Sequence, residues 1–235
     1  MYLIIIFIAI FTQNLVGFGS GLIAMPLLVP LLGIKIATPL MALVMICVQV
    51  SILFRYRTQW SIYNIRRLLL GTVIGIPIGF TLVSILPESI IFFVLGISVI
   101  SFALYNLFYH PELIDRPALN PRWAYVVGLI GGMLGGAYNT GGPPFIMYGT
   151  REGWPPAEFK SNLQCVFLTS SVGVILAYLL NGGYSIDILK MFLSSLPIIL
   201  IALIAGTSLD RFIKQEVFQK VVLVGLIVLG LSLIF

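Results

Sequence analysis

The chain contains very few charged residues. Asp, Glu, Lys and Arg make up 9% of its 235 residues, while 60% are hydrophobic and the mean hydropathy is +1.11. Soluble domains carry about a quarter charged residues, so this composition excludes a soluble protein, and no polar stretch is long enough to fold alone. The sequence therefore predicts one polytopic membrane domain over residues 1–235, with little material outside the bilayer.

Titratable side chains are also missing from the apolar segments. The single histidine, His110, falls in a loop before Pro111, and apart from Lys220 at the start of the last assigned span, no Asp, Glu, Lys or Arg lies inside one. Catalysis usually needs positioned titratable groups, so an enzyme is not expected. An internal carboxylate proton relay and an acidic cation filter are disfavoured for the same reason.

Cysteine is scarce too. Cys47 and Cys165 lie in different spans without CxxC spacing or metal-binding partners, so they are interpreted as small buried residues and no cofactor is expected. The net charge of +5 comes from basic residues scattered over short loops. That distribution is typical of topology determinants in membrane proteins, so nucleic acid is not an expected partner.

Six segments are apolar and long enough to cross a bilayer, which takes about 17 to 25 residues. They lie near Ile36 to Phe54, Leu68 to Leu86, Ser89 to Phe108, Ser161 to Leu180, Met191 to Leu209 and Val217 to Phe235. Two further apolar segments, Met1 to Leu32 and Trp123 to Gly149, are interrupted by GFGSG (Gly17 to Gly21) and GGAYNTGGPP (Gly135 to Pro144). Each is either one kinked span or a hairpin of two short helices.

The basic residues favour hairpins. If each interrupted segment crosses once, the 13 Lys and Arg residues divide almost evenly between the two sides; with hairpins, all except Lys35 and Lys190 share one side. Cytoplasmic loops are usually enriched in Lys and Arg. We therefore predict hairpins, with both termini outside and the Arg55 to Arg67 loop in the cytoplasm.

Two halves of opposite orientation follow from the hairpins. A hairpin plus three spans crosses the bilayer an odd number of times, so the second half is upside down relative to the first. Weak echoes agree, with Gly21 matching Gly141 and Ser51 matching Ser171 at the same offset. The predicted fold is an all-α inverted repeat, with repeat 1 at about 1–110 and repeat 2 at about 121–235.

The two glycine-rich interruptions are the predicted substrate site. Non-helical backbone at membrane depth persists only when it is buried in protein or lines a watery cavity. A short helix begins after each one, and the free N–H groups and dipole of a helix start favour an anion. The site residues are Gly19, Ser20, Gly21, Asn139, Thr140, Gly141 and Gly142, with Gln49 and Gln164 as supporting donors. Glycine packing and interhelical hydrogen bonding by the two glutamines remain alternatives.

These interruptions resemble a known family. NLVGFGSGLIAMPLL from Asn14 and GGMLGGAYNTGGPPFIMY from Gly131 resemble the paired motifs of the TauE/SafE family, also called the sulfite exporter or toluene-sulfonate uptake permease family. The resemblance implies an inverted-repeat bundle that carries small sulfur-containing or carboxylate anions across the cytoplasmic membrane. Ser20 stands where the family often has glycine, and YNTGG replaces a simpler glycine run, which leaves the substrate open.

The resulting hypothesis is a secondary transporter, exporter or permease, of sulfite, an organosulfonate or a related anion, working by alternating access without a cofactor. Its expected partners are that small anion and the lipid bilayer. An anion channel of the same fold and a non-transporting membrane partner protein are the alternatives. Transport direction, coupling ion, oligomeric state and full crossing by the hairpins stay open.

Overall fold

The computed structural model describes residues 1–57, 59–108, 120–209 and 215–234, and this part of the chain is helical, without strands. Its helices are α1 (Tyr2–Val16), α2 (Ser20–Leu32), α3 (Ile34–Arg55), α4 (Ile62–Ile85), α5 (Glu88–Phe108), α6 (Trp123–Tyr138), α7 (Gly142–Arg151), α8 (Pro156–Leu180), α9 (Ile186–Leu209) and α10 (Gln215–Ile234). The all-α polytopic fold is confirmed. Four residues used in the sequence predictions lie outside the described residues: His110, Arg116, Arg211 and Lys214. The boundary between the two predicted repeats lies outside them as well.

Five of these helices are long and apolar enough to cross a membrane: α3, α4, α5, α8 and α9. They match five of the six predicted spans. The sixth, predicted as Val217 to Phe235, is represented by α10, whose apolar described part, Lys220–Ile234, is shorter than a full span.

Both glycine-rich interruptions break the helices, as predicted. Gly17 ends α1 with φ 90°, and Gly19 precedes α2 with φ 106°. Asn139 ends α6 with φ 54°, also in the left-handed region. L side chains other than Asn and Asp rarely adopt this region, so glycine suits the first break and Asn or Gly the second. The chain therefore turns sharply at both places.

The helices on either side of each break are short. They contain 15 and 13 residues in α1 and α2, and 16 and 10 residues in α6 and α7. At 1.5 Å per residue these lengths are about 15 to 24 Å, less than the hydrocarbon thickness of about 30 Å. None of the four reaches across a bilayer alone.

α4 and α6 run parallel in very close contact. A Cβ atom added to Gly71 would lie 2.3 Å from the Tyr125 carbonyl oxygen, and one added to Gly79 would lie 2.0 Å from that of Met133. Small residues at four-residue spacing let membrane helices approach to backbone contact. Since residue numbers rise together along the contact, α6 begins on the same face of the bundle as α4.

The second hairpin returns to the face where it began. At the start of α4, the Ser61 backbone N–H donates to Asn162 Oδ1 (2.9 Å) and Asn64 Nδ2 donates to Glu158 Oε1 (2.6 Å). α8 therefore also begins on this side, which we call the Arg55 face because the α3–α4 connection after Arg55 lies there. α6 leaves the Arg55 face and α7 comes back to it.

The first hairpin uses the opposite side, which we call the Lys190 face. The Tyr2 hydroxyl shares a 2.7 Å hydrogen bond with Ser194 Oγ, and Asn14 Nδ2 donates to the Leu203 carbonyl (2.6 Å). α1 is therefore parallel to α9 and begins near the start of that helix. Since α9 follows the end of α8, this is the side away from the Arg55 face.

The start of α3 lies on the Lys190 face as well. The Tyr184 hydroxyl, just before α9, donates to the carbonyl of Pro39 (3.3 Å). Of the described basic residues, only Lys35 and Lys190 lie on this face. The others belong to the Arg55 face: Arg55, Arg57, Arg66, Arg67, Arg122, Arg151, Lys160 and Lys220. This is the asymmetry that the hairpin arrangement predicts.

The helix contacts come in pairs that are related by exchanging the first half of the chain (α1 to α5) with the second half (α6 to α10). α4 packs on α6 as α9 packs on α1; α1 meets α2 as α6 meets α7, and α3 meets α9 as α8 meets α4. The pairs α3–α8 and α5–α10 join the halves. An inverted repeat requires such an exchange.

Candidate functional site

The two glycine breaks touch each other inside the bundle. A Cβ atom added to Gly21 would lie only 2.1 Å from the Asn139 carbonyl oxygen. Nothing larger than glycine fits at position 21 without moving the second break. The tips of the two hairpins, which enter from opposite faces, are therefore in backbone contact.

A cavity opens beside this contact. Its lining residues are Gln13, Gly19, Ser20, Gly21, Leu22, Met45, Gln49, Gly135, Asn139, Thr140, Gly141, Gly142, Phe167, Ser170 and Ser171. None of these side chains is titratable. The space open to the centre of a water-sized sphere is about 30 Å³, and one water needs about 10–15 Å³ by such a measure. A ligand of a few heavy atoms suits this space.

Three polar atoms around the cavity have no hydrogen-bond partner within the described residues. They are Gln49 Oε1, Thr140 Oγ1 and Ser170 Oγ, on side chains that are 2%, 1% and 7% exposed. A buried polar atom left unpaired costs about 1–3 kcal/mol. Three such atoms around one cavity point to a polar ligand that supplies the missing partners.

The start of α2 adds backbone donors. The first intrahelical hydrogen bond of α2 is donated by the Ile23 N–H to the Gly19 carbonyl (3.0 Å). The N–H groups of Ser20, Gly21 and Leu22 precede that bond, and all three residues line the cavity. Free N–H groups and the positive end of the helix dipole together favour an anion here.

The start of α7 has fewer donors. Pro143 and Pro144 occupy its first turn and have no N–H group, which leaves Gly141 and Gly142. One N–H of the Asn139 side chain is already used, because Nδ2 donates to the Thr38 carbonyl of α3 (2.8 Å). The two breaks are therefore unequal, with more backbone donors at the first and an unpaired hydroxyl at the second.

Gln164 does not line the cavity, although the sequence proposed it as a supporting donor. Its Nε2 donates to the Gly17 carbonyl (2.8 Å), and its Oε1 accepts from Gln13 Nε2 (3.2 Å). Gln13 Oε1 in turn accepts from Ser20 Oγ. Gln164 thus ties α8 to both sides of the first break, which is the interhelical role given above as an alternative.

The cavity includes residues that the list of predicted site residues lacks. Gln13 belongs to it, and its polar character just before the first break was the signal that could have identified it. On α8, Ser170 and Phe167 line the wall beside Ser171. The polar pair Ser170–Ser171 was visible in the sequence, but Phe167 carries no signal that separates it from other apolar residues.

One charged side chain lies closer to the breaks than the sequence indicated. The predicted span began at Ser161, which placed Lys160 in a loop. In the structure Lys160 belongs to α8, and its side-chain carbons lie against the first break: a Cβ atom added to Gly17 would be 3.2 Å from Lys160 Cγ. Lys160 therefore lies close to the first break, although the sequence placed it in a loop.

Comparison with known proteins agrees with the resemblance in the motifs. The family described as Sulfite exporter TauE/SafE matches residues 2–233. The chain belongs to the TauE/SafE sulfite exporter family. This is a family of transporters and not of enzymes, and the match covers both hairpins and all the helices between them. Neither the curated proteins nor the solved structures gave a significant match.

Proposed function

We propose that this TauE/SafE protein is a secondary transporter that binds a small sulfur oxyanion, such as sulfite or a short sulfonate, in the cavity between its glycine breaks. The observation that carries the proposal is the set of unpaired buried atoms of Gln49, Thr140 and Ser170 beside the start of α2. Family membership supports the sulfur-anion class.

Neutral hydrogen-bond donors suit an anion that must also be released. The two hydroxyl groups and the N–H groups of Ser20, Gly21 and Leu22 can all donate to the oxygens of one ligand. Hydrogen bonds to a charged partner are about twice as strong as neutral ones. A fixed charge in the lining would hold the ion more tightly, and its absence from the lining favours turnover.

The size of the cavity supports a small substrate. Sulfite has four heavy atoms, which fits a cavity of this volume better than a bulky organosulfonate does. Gln49 presents an oxygen, which accepts a hydrogen bond and does not donate one. A protonated anion such as bisulfite has an O–H group for this oxygen, so the proton can travel on the substrate itself.

Alternating access is the proposed mode of transport. The two hairpins come from opposite faces, and the helix contacts exchange between the halves. In an inverted repeat, each half can take up the arrangement of the other, which exposes a central site first to one face and then to the other. The excess of basic residues supports a cytoplasmic Arg55 face, with both termini outside.

The test is uptake of radiolabelled sulfite by the purified protein in liposomes. Saturable uptake that is accelerated by unlabelled sulfite on the opposite side of the membrane is expected of a carrier. Uptake without saturation or counterflow would replace the carrier with an anion channel. If uptake is no higher than in empty liposomes, and no anion raises the melting temperature, the proposed function is refuted.

A further inference from the structure

The side chain of Lys160 packs against Gly17 in the first glycine break. Its Cγ and Cε atoms would lie 3.2 and 3.5 Å from a Cβ atom added to Gly17. The half-buried aliphatic part of the lysine therefore packs where a side chain at position 17 would be. Gly17 is separated by one residue from Gly19, which lines the cavity. The ammonium group is therefore carried by a side chain that packs on the first break, two residues before Gly19.

Lys160 lies on the same face of α8 as two residues further along the helix that line the cavity. Lys160, Gln164, Phe167 and Ser171 follow one another at spacings of four, three and four residues, which places them on one helix face. Phe167 and Ser171 line the cavity. Because α8 begins at the Arg55 face, Lys160 stands between that face and the cavity.

No carboxylate neutralises Lys160 within the described residues. Glu158 is the acidic residue nearest to it on α8, but two positions along a helix place it on the far side. Its carboxylate accepts hydrogen bonds from Asn64 (2.6 Å) and Asn162 (3.2 Å) instead. Among the described residues, no carboxylate therefore competes with a mobile anion for the positive charge of Lys160.

The other half of the protein has no such charge at the matching place. Asn139 ends α6 in the left-handed conformation, as Gly17 ends α1. The residue of α3 whose backbone carbonyl accepts from Asn139 is Thr38, and its side chain is neutral. The cation is thus present on the Arg55 side of the cavity and is replaced by a threonine on the Lys190 side.

We propose that Lys160 is a positioning residue at the entrance to the cavity from the Arg55 face. Its ammonium group attracts small oxyanions, which then move into the neutral cavity. This role rests on the proposed function. It predicts that Lys160 sets the affinity for anions arriving from the Arg55 face, more strongly for a divalent than for a monovalent anion, because the Coulomb energy scales with the charge.

The experiment compares Lys160→Gln, Lys160→Met and Lys160→Arg in the liposome uptake assay, with sulfite supplied on the Arg55 face. Lys220→Gln is the matched control, since Lys220 is exposed near the start of α10, also on the Arg55 face, and lines no part of the cavity. It removes the same charge. Melting temperatures identify any variant that fails to fold, and Lys160→Met retains the apolar stem for that case.

Loss of the charge is expected to raise KM by about tenfold, equal to about 1.4 kcal/mol, with kcat within about twofold. Lys160→Arg should restore KM. Added salt should raise the wild-type KM and leave that of Lys160→Gln nearly unchanged, because salt screens the attraction. The control variant should match wild type.

Two failures are distinguishable. If wild type takes up sulfite and the neutral Lys160 variants share its KM and salt dependence, the role of Lys160 is refuted while the transport function stands. An equal loss in Lys220→Gln would also refute it, since the effect would then come from net charge. If wild type itself takes up no sulfite and no anion raises its melting temperature, the proposed function fails and the entrance role fails with it.

Discussion

Replacing Thr140 with valine removes one hydroxyl group and changes the shape of the side chain very little. Thr140 is 1% exposed, and its Oγ1 has no partner among the described residues. In the empty protein, an unpaired buried hydroxyl costs about 1–3 kcal/mol. Thr140→Val should therefore stabilise the empty protein by up to that amount, raising its melting temperature by about 2–4 °C for each kcal/mol.

The same substitution should weaken the substrate complex. A hydrogen bond to a charged ligand contributes about 1.5–3 kcal/mol, so losing it should raise the dissociation constant for sulfite by about 10-fold to 150-fold. Opposite effects on the empty and the loaded protein distinguish a ligand-binding hydroxyl from one that serves the fold. A fold-supporting hydroxyl would lower the melting temperature when removed.

The assay is the melting temperature of the purified protein over a sulfite titration, together with liposome uptake. Thr81→Val is the control, because the Thr81 hydroxyl donates within α4 to the Pro77 carbonyl (2.8 Å) and does not line the cavity. It should leave sulfite affinity unchanged. A Thr140→Val protein that melts at a lower temperature and binds sulfite as tightly as wild type would refute the reasoning.

Three further outcomes are expected. Gly21→Ala should destabilise the protein by about 1–3 kcal/mol or more and abolish uptake, since its Cβ atom would lie 2.1 Å from the Asn139 carbonyl oxygen; Gly225→Ala, where the added Cβ meets open space, should do neither, and a normal Gly21→Ala protein would contradict the contact. Gln164→Leu should lower the melting temperature, opposite to Thr140→Val, because it removes the 2.8 Å hydrogen bond to the Gly17 carbonyl; an unchanged melting temperature would argue against this tie. At constant total sulfite, uptake should rise as pH falls and bisulfite replaces sulfite, while uptake of a sulfonate that does not titrate in this range stays constant; a flat sulfite profile would exclude transport of the proton on the substrate.

The inequality of the two breaks bears on how the transporter works. The first break contributes backbone N–H groups at the start of α2, whereas Pro143 and Pro144 remove two of the donors that the start of α7 would have. Asn139 is held by α3 through its side chain. In the proposed transporter, the first hairpin therefore supplies most of the backbone donors for the anion, and the second supplies a hydroxyl and a fixed contact.

The sequence by itself determined the membrane class, the positions of the two breaks and the choice of glycine there. These properties are local or additive: hydropathy sums along the chain, and a residue with φ near 90° or 106°, as at Gly17 and Gly19, is glycine for a steric reason that its own backbone sets. The uneven placement of Lys and Arg could also be read directly, because each loop lies on one side of the membrane or the other.

Only the tertiary structure decided which side chains reach the cavity. Gln49 lines it and Gln164 does not, and Lys160 lies on Gly17 although its position in the sequence resembles a loop. In lipid, a neighbouring helix is no more apolar than the surrounding acyl chains, so hydrophobic periodicity does not reveal which face of a helix turns inward. That choice depends on close backbone packing, such as the glycine contact between α4 and α6, between residues far apart in the chain.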